Sequence, residues 1–75
     1  MAKFTLYHTD GCHLCELADE LLVAAKVHFI AHDIMDDEQL ISAYQTSIPV
    51  VKKENGETLY WPFDELQLAK FIADN

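Results

Sequence analysis

The residue pattern predicts an α/β protein: a four-stranded mixed sheet flanked by helices, with elements in the order β-α-β-α-β-β-α. Three observations carry this. Apolar spacing switches along the chain between two residues and three-to-four residues, the difference between a strand and a helix. An Asn55-Gly56 pair separates two short strand-like runs, the signal of a hairpin. An Asp followed three positions later by Gln occurs at Asp36/Gln39 and again at Asp64/Gln67, and this spacing marks helix starts.

Taken in order, Lys3–His8 reads as the first strand, with Phe4 and Leu6 alternating with Thr5 and Tyr7. Thr9-Asp10-Gly11 is turn chemistry. From Cys12 to about Lys26, Leu14, Leu17, Ala18, Leu21, Leu22 and Ala25 recur at helical spacing, opposite Glu16, Asp19 and Glu20. Val27–Ile34 reads as the second strand, with His28 and His32 on one face, expected to meet solvent or an edge. Asp36 is expected to cap a second helix, with Gln39 reciprocating, Met35 stapling onto Leu40, and Leu40, Ile41 and Tyr44 as its apolar face. Val50 and Val51 begin a third strand running into Lys52 and Lys53. Glu54-Asn55-Gly56-Glu57 predicts a type I′ turn, and Thr58–Trp61 the fourth strand, stopped by Pro62. Asp64 caps the last helix in a capping box with Gln67, and Phe63 staples to Leu68. The first half is a βαβ unit, so its strands are expected to be parallel with a right-handed crossover.

Seventy-five residues, 51% of them hydrophobic, predict a single folded domain over residues 1–75 rather than a disordered chain. No apolar run is long enough to span a membrane. Met1-Ala2-Lys3-Phe4 enters strand-like sequence at once, without signal-peptide architecture, which predicts a cytoplasmic protein. In that compartment thiols stay reduced, so a lone cysteine pair points to catalysis or metal more than to a structural staple. A formal net charge of −8 argues against nucleic acid and anionic membrane as partners.

Both cysteines lie in Gly11-Cys12-His13-Leu14-Cys15-Glu16, where the first strand gives way to the first helix. A Cys-x-x-Cys at such a junction is a redox motif with a mechanism. Cys12 at the helix N-terminus meets free backbone N–H groups and the positive end of the helix dipole, which favour the reactive thiolate. His13, when protonated, favours it further, whereas Asp10 and Glu16 oppose it. Cys15 falls one turn on, on the same side, within reach of a sulfur bonded to Cys12.

This order, with Cys12-His13-Leu14-Cys15 after the first strand and Ile48-Pro49 before the third, resembles the thioredoxin fold, and its brevity the glutaredoxin branch. Together with Trp61-Pro62-Phe63-Asp64, it is similar to small bacterial glutaredoxin-like proteins. The resemblance implies a thiol–disulfide oxidoreductase acting in electron transport and cell redox homeostasis. Cys12 is then the nucleophile and Cys15 the resolving cysteine. Pro49 matches the proline held in cis beside the pair, leaving the backbone of Ile48 to pair with an extended substrate; His13 and Trp61 complete the substrate-binding set. The implied partners are a disulfide-containing protein or small thiol and an electron donor, either glutathione or a thioredoxin-type reductase, with the chain acting as a monomer. No tightly bound cofactor is implied, and glutathione enters only as a co-substrate. His8-Thr9-Asp10 lacks the lysine that glutathione-using members place before the motif, and Trp61-Pro62-Phe63-Asp64 stands where they carry a glycine-rich turn.

The cysteines admit two other readings. Metal or iron–sulfur binding through Cys12 and Cys15 needs ligands that no second Cys-x-x-Cys supplies. A docking module without redox turnover would use the same face near Pro49 and be indifferent to loss of either thiol.

Overall fold

The computed structural model describes residues 3–74. The elements are β1 (Phe4–His8), α1 (His13–Ala24), β2 (Phe29–Asp33), a 3-10 turn (Ile34–Asp36), α2 (Glu38–Tyr44), β3 (Val50–Lys53), β4 (Thr58–Tyr60) and α3 (Glu65–Ala73). The expected order β-α-β-α-β-β-α is the observed one. The sheet runs β2-β1-β3-β4, with β1 and β2 parallel and the other two pairs antiparallel. His8 therefore lies opposite Asp33, and Tyr7 opposite Val50. The C-terminal ends of β1 and β2 and the N-terminal end of β3 share one pole.

Pleating divides each strand between two faces. Phe4, Leu6 and Val51 form one apolar face, packed with Ala18 and Leu22 of α1, Phe63, and Leu68 of α3. Val50, buried like Val51, faces the other way, along with Tyr7, whose ring stacks on Tyr44 of α2 at 5.0 Å.

The buried stripe of α1 is Cys15, Ala18 and Leu22, with Leu21 half-buried. It is narrower than the apolar spacing implied: Leu14, Leu17 and Ala25 are exposed. Successive helical residues are turned by about 100°, so a stripe centred on Ala18 leaves Leu17 on the flank. α1 stops at Ala24 rather than Lys26. Lys26 takes a left-handed backbone (φ 59°) and donates to Val23 O, while Val27 donates to Leu22 O. This pair of bonds is a Schellman closure, and its hydrophobic contact is supplied by Val27 and Leu22 at the core.

Several local expectations change. β2 is shorter than Val27–Ile34, because Val27 and His28 lie in the connection and Ile34 begins the 3-10 turn. β2 is an edge strand; His28 is exposed and His32 half-buried, 5.8 Å from the Tyr7 ring. The cap of α2 is Asp37, not Asp36: its carboxylate accepts from Gln39 N at 2.8 Å, so Gln39 cannot reciprocate from the third position. Asp36 is used in the preceding turn, and Met35 is 63% exposed, so it forms no staple. The β3–β4 loop is not type I′. Only Gly56 has positive φ (98°), Gly56 donates to Lys53 O at 2.9 Å, and Lys53 donates to Glu57 O at 2.8 Å. This is the three-residue hairpin loop with glycine at its left-handed position. β4 ends at Tyr60, leaving Trp61 outside it. The capping box of α3 forms as expected, with Gln67 N to Asp64 at 2.8 Å and Asp64 N to Gln67 at 3.0 Å. Phe63 and Leu68 are both buried in the core cluster, whereas Leu66 is exposed.

Lys53 is the one buried charged residue among those described. Its ammonium donates to the Asp74 carbonyl at the end of α3, lies 4.3 Å from the Phe71 ring centre and 4.0 Å from the Glu57 carboxylate. Nothing in the strand pattern predicted this contact.

Candidate functional site

The cysteine pair is built by the turn between β1 and α1. Gly11 takes a left-handed backbone (φ 80°), a conformation favouring glycine, and turns the chain from the strand end into the helix. Cys12 follows with extended backbone as the N-cap of α1. Its sulfur accepts from the Cys15 N–H at 3.1 Å, taking the place a Ser or Asp oxygen fills at other helix starts. Cys15 lies one turn further along, and the two sulfurs are bonded to each other, with 5.2 Å between the Cα atoms. That separation falls within the usual range for disulfides. Cys12 is half-buried and Cys15 is 4% exposed, so the two sulfurs are presented unequally to solvent.

A cavity of about 610 Å³ opens beside the pair. Leu6 and both cysteines line it, with Asp10, Glu16, Asp19 and Glu20 among its rim residues. His13, Ile48, Pro49 and Trp61 do not line this cavity. His13 is exposed at the first position of α1, with Nδ1 3.9 Å from the Glu16 carboxylate. At such exposure that pairing is worth little.

The Ile48–Pro49 peptide is cis, and Pro49 is buried at the N-terminal end of β3. The Ile48 N–H is donated to the Tyr44 carbonyl at 3.0 Å. That donor is therefore engaged within the chain. The Trp61–Pro62 peptide is also cis, and Trp61 N–H donates to Pro49 O at 3.3 Å. Trp61 is half-buried, packs edge-on against Phe63 at 5.0 Å, and lines a groove between α1 and α3 with Leu17, Leu21 and Leu66. Phe63 belongs to the core.

Asp33, at the C-terminal end of β2, was not singled out. Its carboxyl is held below its ordinary value, chiefly by the Met35 N–H it accepts; burial acts against this, and the Thr9 hydroxyl, His8 and His32 act with it. The register pair His8/Asp33 could have been found from the strand alignment, had the parallel pairing been known in detail.

No group of three or more His, Cys, Asp or Glu among the described residues is arranged to hold a metal ion. No described helix is long and apolar enough to cross a membrane.

Comparison with known proteins gives a consistent result. The chain matches the glutaredoxin-like domain family (DUF836) over residues 3–73. The X-ray structure of the protein XcR50 from X. campestris superposes with a TM-score of 0.90 at 40% identity, covering 96% of this chain and 97% of that one. The solution structure of XcR50 gives 0.88 at 41% identity, covering 100% and 96%. The glutaredoxin (grx-1) from Archaeoglobus fulgidus, at 24% identity and a TM-score of 0.70, covering 96% and 87%, shares the fold. A search of curated proteins finds no match. A bonded Cys12–Cys15 pair at the start of α1 in this fold supports a redox-type role. The chain belongs to the glutaredoxin-like domain family, as a small thioredoxin-fold protein carrying a Cys-x-x-Cys pair.

Proposed function

We propose that the protein is a thiol–disulfide oxidoreductase that reduces protein or small-molecule disulfides with the Cys12/Cys15 dithiol. The observation that carries this is the arrangement of the two sulfurs: bonded to each other, with the half-buried Cys12 sulfur receiving a helix-start N–H and Cys15 behind it. The Cys12 thiolate attacks a substrate disulfide, forms a mixed disulfide and expels one substrate thiolate. Cys15 then gives up its proton and attacks the Cys12 sulfur. The second substrate thiol leaves, and the Cys12–Cys15 bond remains. Two electrons pass from enzyme to substrate, and an external thiol or reductase restores the dithiol.

In this reading Pro49, next to the pole that bears the cysteines, and Ile48 shape the approach to the sulfurs. His13, at the first position of α1, and Trp61, in the groove between α1 and α3, complete the substrate-binding set. No tightly bound cofactor is needed. Glutathione or a thioredoxin-type reductase supplies the electrons, and the acidic chain meets neither nucleic acid nor membrane in its cycle.

The test is turnover of a small disulfide with two electron supplies: glutathione with its reductase, and thioredoxin reductase with NADPH. Activity with one of them is expected. Cys15→Ser should accumulate the mixed disulfide, and Cys12→Ser should be inert. Absence of exchange in the dithiol form, or equal activity in Cys12→Ser, would overturn the assignment.

A further inference from the structure

The five lysines of the chain are all at one pole, and the cysteines are at the other. Lys52 and Lys53 lie at the end of β3 opposite Thr5 and Phe4, the start of β1. Lys3 and Lys26 border one shallow cavity together with Phe4, and Lys70 sits in the last turn of α3, whose end is tied to Lys53. Because β1 and α1 are joined by the turn at the opposite end, none of these ammonium groups is near Cys12.

At the cysteine pole the charge has the other sign. Asp10 is in the turn before α1, Glu16 in its first turn, Asp33 at the end of β2, and Asp64 and Glu65 at the start of α3. Glu16 and Asp10 line the cavity beside the sulfurs, with Asp19 and Glu20 further along it. No lysine lines that cavity; His8 is its one basic side chain. Asp64 caps α3, and Glu16 sits in the first turn of α1 with His13 Nδ1 3.9 Å away; Asp19 and Glu20 follow in the middle of that helix, and Glu16, Asp19 and Glu20 make no side-chain hydrogen bond among the described residues.

We infer that the Cys12/Cys15 site selects disulfides carried on cationic groups, such as a cystine flanked by lysine or arginine, and disfavours anionic disulfides. The inference rests on the exchange reading above and adds the substrate class. Its physical basis is the field of the pole: exposed carboxylates clustered around an open recess enrich cations there, while anions such as the carboxylates of glutathione are repelled. The effect is carried by solvent-exposed charge and so must weaken as salt shortens the screening length, from about 10 Å at 0.1 M to about 3 Å at 1 M.

The experiment is single-turnover oxidation of the pre-reduced protein by three disulfides: cystamine, with two ammonium groups; bis(2-hydroxyethyl) disulfide, uncharged; and glutathione disulfide, anionic. The protein's own two thiols supply the two electrons, so no reductase is present. Each rate is divided by the rate of the same disulfide with dithiothreitol, which removes intrinsic differences in reactivity. At low ionic strength the normalised rate for cystamine should exceed that for glutathione disulfide by a factor on the order of ten or more. The ratio should shrink towards one in 1 M salt, and in Asp10→Asn/Glu16→Gln. Any change those substitutions make in the Cys12 thiol itself acts on all three substrates and cancels in the ratio. Equal normalised rates, a preference for glutathione disulfide, or a ratio indifferent to salt would overturn the inference while leaving disulfide exchange in place. Failure of all three disulfides to react would remove the exchange reading, and the inference with it.

Discussion

Cys12 and Cys15 are three residues apart and meet different surroundings. Cys12 is half-buried at the helix start and its sulfur receives the Cys15 N–H, whereas Cys15 is almost fully enclosed. An outside reagent should therefore meet Cys12 first. With the protein reduced, iodoacetamide is expected to label Cys12 before Cys15, read by peptide mass spectrometry. The rate should rise with pH about a midpoint below the value of about 8.5 of a free thiol, because the helix-start N–H groups favour the thiolate. Labelling at Cys15 first, or a midpoint above the free thiol, would contradict the geometry. Asp33 gives a second prediction at this scale. Its carboxyl is held below the usual value of 3.8, first by the Met35 N–H. A group whose pKa is lowered on folding adds stability above its unfolded value and loses it as pH falls through its folded value. Asp33→Asn should therefore melt below the parent at neutral pH, and the gap should close as both are acidified below the carboxylate range. A gap unchanged by acid would show that the charge plays no part.

At the scale of the elements, what was legible in the sequence depended on how far apart the interacting groups lie. The Asp64/Gln67 box was readable because both partners belong to one turn of chain. The start of α2 was misplaced by one residue because Asp36 and Asp37 are both competent caps, and the choice is made by the 3-10 turn that absorbs Ile34–Asp36. The hairpin loop was found at its place but given the wrong turn, since Asn55-Gly56 suits both a two-residue loop and a three-residue loop ending in glycine. The end of α1 was invisible for a different reason. A Schellman closure usually announces itself by glycine, and here Lys26 takes the left-handed position. A side chain with a Cβ costs about 1–2 kcal/mol there relative to glycine. Lys26→Gly relieves that cost but adds freedom to the unfolded chain, which returns about 0.4–1 kcal/mol. The expected outcome is a net gain of about 0.8 kcal/mol, seen as a raised urea midpoint with an unchanged slope. A lowered midpoint would mean that the lysine side chain contributes more at that pole than its backbone costs.

Over the whole molecule, the element order was readable because it follows chain order, and the sheet brings the end of β1 and the start of β3 to one pole. The tie that holds the other pole was not readable. Lys53 alternates in β3 onto the core face, where a lysine is out of place by composition, and its acceptor is a backbone carbonyl 21 residues away that exists only once α3 has formed. The ammonium meets the unpaired C-terminal carbonyl end of α3, where a cation is favoured by the helix dipole, and the Phe71 ring and Glu57 carboxylate complete its surroundings. Substitution by methionine keeps most of the apolar stem and removes the donor and the charge, leaving the Asp74 carbonyl without its partner. The loss should be at most about 1.5–3 kcal/mol, the range for a hydrogen bond made by a charged group, because Asp74 is exposed and water can reach its carbonyl. Lys53→Met should accordingly lower the urea midpoint. Because the tie joins the hairpin to α3 alone, amide exchange should quicken in the last turn of α3 before it does in α1. Disulfide exchange at Cys12, at the far pole, should keep its rate in that variant. A Lys53→Met protein as stable as the parent would mean that the ammonium is offset in full by the cost of taking it out of water, and that apolar packing of Phe4, Val51 and Phe71 holds this pole without it.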